Sequence, residues 1–264
     1  IPVYSVSSIF RPNQIFFRWY GKDYRKVLKK FTHLFVQNEV SKQLLAGIGV
    51  DKVTVAGDTR FDRGLDICAA AKQLPLVQKF KGDALTFVAG SSWGPDEEIF
   101  IQYFNNHPEV KVVIAPHVVS DGHLKEIISK LQCTSIRYTQ ATEENVSDAR
   151  CLIIDCYGLL SSIYRYGEIS YVGGGFGVGI HNVLEAAVYG IPVVFGPNNK
   201  KFREAQHLLE KKGGFEIRDY KDFECLLDKL LADKTYLEQS GKAAGDYVKH
   251  NAGALDKIMQ SIPF

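Results

Sequence analysis

No stretch of this sequence stays apolar for the length of a bilayer span, and no secretory signal peptide is visible. Charge of neither sign dominates. The 32 Lys and Arg against 30 Asp and Glu leave a formal +2, so only local charge can point to a partner. The five cysteines (Cys68, Cys133, Cys151, Cys156 and Cys225) are odd in number and scattered. Cys151 and Cys156 have neither C-x-x-C spacing nor histidines nearby, so reduced thiols in a cytosolic compartment are the better reading than disulfides or zinc. A Gly-x-Ser-x-Gly elbow is missing, which argues against a Ser–His–acid hydrolase. Metal catalysis lacks its usual signatures, because there is no H-E-x-x-H and no Asp-x-Asp pair to hold a divalent ion on a diphosphate. No repeat of 20 to 50 residues and no low-complexity segment is apparent.

What is present is an ordinary globular composition, 45% hydrophobic and 23% charged over 264 residues, enough for one or two domains. The chain is organised around residues 173–187, where Gly173, Gly174, Gly175, Gly177 and Gly179 place five glycines within seven residues. An apolar run at 169–172 reads as a buried strand before them, and a short helix closing at Gly190 leads to another strand. Glycines there let the backbone approach a ligand closely and take positive φ. His181 and Asn182 stand where the helix would begin, and its unpaired N–H groups suit an anion. Glu185, one turn on, would repel a phosphate and instead receive hydroxyl or amino donors. The pair of preferences describes a nucleotide. The alternative, a turn that is glycine-rich only because backbones pack closely, stays open.

Along the chain, residues 11–30 carry seven Lys/Arg (Arg11, Arg18, Lys22, Arg25, Lys26, Lys29, Lys30) against Asp23, interleaved with Phe16, Phe17, Trp19, Tyr20 and Tyr24. Such a segment suits an anionic lipid surface or nucleic acid, or forms an amphipathic helix with solvated lysines. Strands are predicted at 33–36 and 52–56 around a helix capped by Asn38. Residues 57–64 read as a polar, turn-forming linker in which Arg60 and Arg63 are available to an anion. From 84 onward strands (84–89, 111–115, 134–138, 151–155, 169–172) alternate with helices, which predicts a parallel sheet covered on both faces. Ligands of such sheets sit at the carboxyl ends of the strands, which brings together the loops 90–94, Pro116-His117, 155–159 and 173–185. Ser91 and Ser92 there suit a phosphate or carboxylate, or a helix cap. A dinucleotide fingerprint is disfavoured, since Gly196-Pro197-Asn198-Asn199 stands where its acid would be.

These residues also carry a family resemblance. Gly173-Gly174-Gly175, His181-Asn182-Val183-Leu184-Glu185-Ala186-Ala187, Gly190-Ile191-Pro192-Val193 and Gly196-Pro197 resemble the G-G-H-N-P-L-E-P-A, I-P-V and G-P pattern of 3-deoxy-D-manno-octulosonic acid (Kdo) transferases. Val55 to Asp62 is similar to the family's V-x-G-N-x-K-F-D stretch, Ala89 to Glu98 to its A-G-S-T-x-x-x-E-E loop, Ile114 to His117 to its A-P-R-H strand end, and Asp155 to Leu160 to its D-T-x-G-E-L segment. The resemblance implies an α/β, GT-B type fold. It implies a Rossmann-like parallel donor domain over 57–234, the remnant of a second α/β domain over 1–56, and carboxyl-terminal helices over 235–264 that can cross back to the first domain. It further implies metal-independent, inverting transfer of Kdo from CMP-Kdo to a lipid A precursor at the cytoplasmic face of the bacterial inner membrane, with no cofactor and no metal. The basic segment 11–30 would meet the anionic membrane, and no nucleic acid would be involved. Pro116, His117, Tyr157, Gly158, Leu159, Asn182, Val183, Leu184 and Glu185 are implied to contact CMP. Ser91, Ser92, Arg60, Gly174, Gly175 and His181 would lie near the donor's phosphate or carboxylate.

Departures from the pattern matter. His117 stands for an arginine, which turns a permanent cation into a titratable one. Leu159 stands for a glutamate and Val183 for a proline. The family's catalytic glutamate is expected upstream of Ile1, so this chain is read as an amino-terminally truncated piece that binds CMP-Kdo and transfers sugar poorly or not at all. The rival readings are a GT-B enzyme using a UDP-sugar, a nucleic-acid-binding module built on the basic segment, and an NAD-dependent oxidoreductase.

Overall fold

The computed structural model describes residues 1–262, so the last two positions of the expected 235–264 helical region lie outside the described residues. The chain divides into two compact units. One is Ile1–Asp66 together with the stretch from Lys249 onward; the other is Ile67–Val248. Both are α/β with parallel strands, as the alternation predicts. No helix among the described residues is long and apolar enough to cross a membrane.

In the smaller unit, β1 (Tyr4–Ser8), β2 (His33–Val36) and β3 (Val53–Val55) form a parallel sheet in that order. Leu28, Leu34, Val36, Leu45, Val50 and Val53 pack with Phe10 into its core. Asn38 caps the helix Glu39–Ala46 by accepting the Ser41 N–H at 2.8 Å, a role its position predicts. The basic stretch is a single turn, Ile15–Phe17, followed by the helix Lys22–Leu28. Gly21 stands between them, and a Cβ there would lie 2.0 Å from the Ile15 carbonyl oxygen. Phe16 and Phe17 pack edge-on against Phe10, while Trp19, Tyr20, Tyr24 and Val27 stay exposed.

The polar run at 57–64 is not the turn-forming linker that its composition predicts. A helix, Thr59–Ala69, begins there. Asp58 starts it by accepting the Arg60 N–H at 3.0 Å, the bond expected of an aspartate before a first turn. Asp62 in turn accepts the Gly253 N–H at 2.6 Å at the start of the helix Ala254–Ser261. The polar residues therefore serve helix ends, one local and one distant in sequence.

In the larger unit, β4 (Thr86–Ser92), β5 (Lys111–Pro116), β6 (Ser135–Arg137), β7 (Cys151–Ile153), β8 (Ile169–Val172), β9 (Val193–Phe195) and β10 (Gly214–Glu216) form one parallel sheet in the order β10-β9-β8-β4-β5-β7-β6. Its inner strands are buried along their length, which is why they read as continuous apolar runs. Phe87, Phe100, Phe104, Tyr171 and Phe223 meet in the core. Each such side chain contributes about 1.5–3 kcal/mol on burial, which makes the sheet a rigid base for the loops at its tips.

Candidate functional site

All strands of this sheet point their carboxyl ends the same way, and β8, β4, β5 and β7 are neighbours in that order. The loops predicted to converge therefore lie along one edge. The chain leaves β4 toward β5 and returns on the other side of β4 at β8. The tip of β4 is thus the reversal point at which such sheets hold ligands.

The glycine turn after β8 is packed tightly. A Cβ on Gly173 would lie 2.3 Å from the Ser91 carbonyl oxygen, and one on Gly175 would lie 2.6 Å from the Gly196 backbone. Gly174 and Gly179 hold φ of +92° and +128°, which glycine adopts without strain. Close packing, the alternative the sequence leaves open, accounts for Gly173 and Gly175. The turn also consumes its own amides: Gly177 and Gly179 donate to the Gly174 carbonyl at 3.0 and 3.1 Å, and His181 donates to Gly173 at 3.1 Å. The Gly174 N–H donates to Asp96 at 2.9 Å, so it is not pointed at a ligand.

Asp96 is the residue that joins these loops, and the sequence shows it only as an acid suited to a helix start. It is almost wholly buried, and its carboxylate accepts from Trp93 N, Gly174 N and the Tyr171 hydroxyl at 2.8–2.9 Å. Burial pushes its pKa up, against those three hydrogen bonds and the nearby His181. Glu97 beside it is equally buried, accepts the Ser92 hydroxyl at 2.8 Å and faces His123 at 3.1 Å. Burial raises its pKa too. Ser92 is therefore turned into the interior with its hydroxyl engaged. Ser91, half-buried at a φ of +51°, lines a cleft instead.

Three rings from three loops meet at the edge. Trp93 and His117 stack with centroids 4.6 Å apart, and His117 and His181 stack at 4.5 Å. The Trp93 indole N–H donates to Nε2 of His181 at 3.3 Å. Burial, then the neighbouring His117, pull the His181 pKa down, and Asp96 opposes them. Beside this cluster lies a cleft of about 190 Å³ lined by Ser91, Pro116, His117, Cys156, Tyr157 and Gly158, among others. Pro116 is buried and offers only its edge, whereas His117 and Tyr157 are exposed. Gly158 has φ +85°, and Leu159 is half-buried at the start of the helix Leu160–Ile163. A second groove of about 180 Å³, apolar in lining, runs between Trp93, Pro95, Phe176 and Val178.

After the glycine turn, the helix Leu184–Ala187 is a single turn. Val183 and Leu184 are fully buried, so their side chains face the core and leave only backbone for a ligand. Asn182 is exposed and Glu185 half-buried, and they hydrogen-bond to each other. Arg60 lies in the smaller unit, where Asp58 holds its guanidinium through Nε and Nη2. Trp93 and Asp96 are the two residues of this region whose roles sequence reasoning misses. Trp93 is marked only by its position just after a strand tip, and Asp96 by its acidic place at a helix start within the 89–98 stretch.

No protein-family model matches the chain. Over 239 residues it is 27% identical to the 3-deoxy-D-manno-octulosonic acid transferase of Aquifex aeolicus, covering 87% of this chain and 63% of that protein. The crystal structure of the C-terminal CMP-Kdo binding domain of WaaA from Acinetobacter baumannii matches with a TM-score of 0.57 at 19% identity, over 72% of this chain and 97% of that one. Anabaena HepE in complex with UDP matches with a TM-score of 0.56 at 12% identity, over 98% of this chain and 70% of that one. At such identities the two structures establish a shared fold. The chain spans less than two thirds of the length of the curated relatives it matches.

Proposed function

We propose that this chain is a member of the Kdo transferase family of GT-B glycosyltransferases, to whose members it is similar over most of its length, and that its larger unit binds the donor CMP-Kdo at the tips of β4, β5, β7 and β8. The observation that carries this reading is the meeting of Ser91, His117, Tyr157, Gly158 and the Asn182–Glu185 pair along one sheet edge. In this reading Glu185 accepts hydroxyl donors of the ribose. The cleft between the β5 and β7 tips takes the base, and the imidazoles of His117 and His181 face the phosphate. The whole protein then transfers Kdo to a lipid A precursor at the cytoplasmic face of the inner membrane, and the smaller unit is part of its acceptor domain. The exposed Trp19, Tyr20, Tyr24 and Val27, set among lysines, make peripheral contact with anionic lipid.

Calorimetric titration with CMP, UMP and UDP tests the donor assignment. CMP is expected to bind more tightly than either uridine nucleotide. A preference for UMP or UDP would replace CMP-Kdo with a UDP-sugar.

A further inference from the structure

The ring cluster at the sheet edge has a chemistry that donor binding alone does not require. The indole N–H of Trp93 points at Nε2 of His181, which makes that nitrogen an acceptor and leaves the neutral ring's proton on Nδ1. His117 stacks on both rings. The cluster contains no lysine or arginine, and the amides of Gly174, Gly177, Gly179 and His181 are already used within the protein. An anion arriving here meets indole and imidazole N–H groups rather than a fixed charge.

We propose that Trp93, His117 and His181 form one anion receptor that holds the phosphate of the nucleotide donor and takes up one proton from solvent as it binds, an inference that rests on the donor-binding reading above. Protonating Nε2 of His181 turns an acceptor into a donor. Two N–H groups 3.3 Å apart repel each other, so the indole and imidazolium donors are released together toward the phosphate. One proton on Nε2 of His181 accounts for this change of partner, so the uptake is one proton per phosphate bound. The titratable groups around the pair are few. Asp96, on the helix Gly94–Asn105, favours charge on His181, and the stacked His117 disfavours it. Cys156 and Tyr157 line the cleft with His117, and Glu185 lies further along the segment that carries His181. The depressed pKa of His181 keeps the ring neutral near pH 7.5 before the ligand arrives, so uptake is measurable there.

The test is calorimetry of CMP binding at about pH 7.5 in two buffers of different ionisation enthalpy, with cytidine as the control. The expected result is close to one proton taken up per CMP and none with cytidine. CMP affinity should fall by up to about tenfold per pH unit above pH 7.5. His117→Gln and His181→Asn should each abolish most of the uptake. In a Trp19→Phe background, CMP but not cytidine should shift the emission of Trp93, because the indole N–H changes partner. CMP binding without proton uptake, or uptake unchanged in His181→Asn, overturns the receptor and leaves the donor assignment standing. No CMP binding at any pH overturns both.

Discussion

Asn182 and Glu185 are joined across a single turn: Nδ2 of Asn182 donates to Oε1 of Glu185 at 3.0 Å, while Oδ1 of Asn182 accepts the Leu184 N–H at 3.2 Å. One amide therefore holds the turn that leads into the short helix and aims the carboxylate. The second oxygen of Glu185 remains to accept hydroxyl hydrogens, as a ribose would supply.

Replacing Glu185 by Gln exchanges one acceptor oxygen for a donor without changing shape. CMP affinity should drop by about 1.5–3 kcal/mol, the usual value of a hydrogen bond to a charged group, while the unfolding midpoint stays put. Unchanged affinity by calorimetry would remove Glu185 from the site. Asn182→Ala should cost about 0.5–1.5 kcal/mol in stability through the lost bond to the Leu184 N–H, and also weaken CMP.

Asp96 separates a buried charge from a buried hydrogen-bond hub. Asp96→Ala leaves two backbone N–H groups and a phenol without their acceptor, at about 1–3 kcal/mol for each group. Asp96→Asn can keep an oxygen toward the two amides and turn its NH₂ to the Tyr171 oxygen, so it should be milder. Because burial raises the folded pKa of Asp96, the folded state holds the proton more tightly than the unfolded one. Its contribution is best below the ordinary carboxylate value and is lost as pH rises through the raised one. The stability difference between wild type and Asp96→Asn should therefore move in the wild type's favour as the pH falls through the carboxylate range. Parallel urea midpoints across that range would contradict it.

Gly175 and Gly177 offer a matched comparison within one turn. A Cβ on Gly175 meets Gly196 backbone at 2.6 Å, whereas one on Gly177 has nothing nearer than the Gly174 oxygen at 3.8 Å. Gly175→Ala should cost about 1–3 kcal/mol or more, as overpacking against rigid backbone does. Gly177→Ala should stay within about 1 kcal/mol of wild type. Equal thermal midpoints for the two variants would mean that the turn is looser than described.

The exposed aromatic and basic surface of the smaller unit should bind vesicles containing anionic lipid and not zwitterionic ones, with affinity falling as salt is added. Neutralising Lys22, Lys26, Lys29 and Lys30, or replacing Trp19 by Ala, should abolish co-sedimentation. A salt-sensitive shift with RNA or DNA, lost in the same lysine variant and without vesicle binding, would instead favour the nucleic-acid reading.

Much of the fold was legible in the chain. Apolar runs of strand length, Asn38 before a helix and Gly190 after one are local signals, and the strands of the larger sheet stand close to where they are predicted. The polar run at 57–64 was not legible as helix. Its apolar positions are few, and Asp62 is stabilised there by the N–H of Gly253, a partner nearly two hundred residues away. Ser92 misled in a similar way: a serine after a strand tip suits a ligand or a cap equally, and a buried Glu97 claims it. Trp93 gave no distinguishing pattern, and Asp96 only that of an acid at a helix start within the 89–98 stretch.

Residue order alone established an alternating α/β chain, the parallel direction of its strands and the set of loops that share an edge. Those follow from periodicity, turn chemistry and the handedness of crossovers, all of which act between near neighbours. Which amides of the glycine turn are already occupied, and which rings stack above them, depended on the folded molecule. Asp96, His117 and His181 are brought together by neighbouring strands of the sheet, and the protonation and hydrogen bonding of such groups are set by distances that no local pattern encodes.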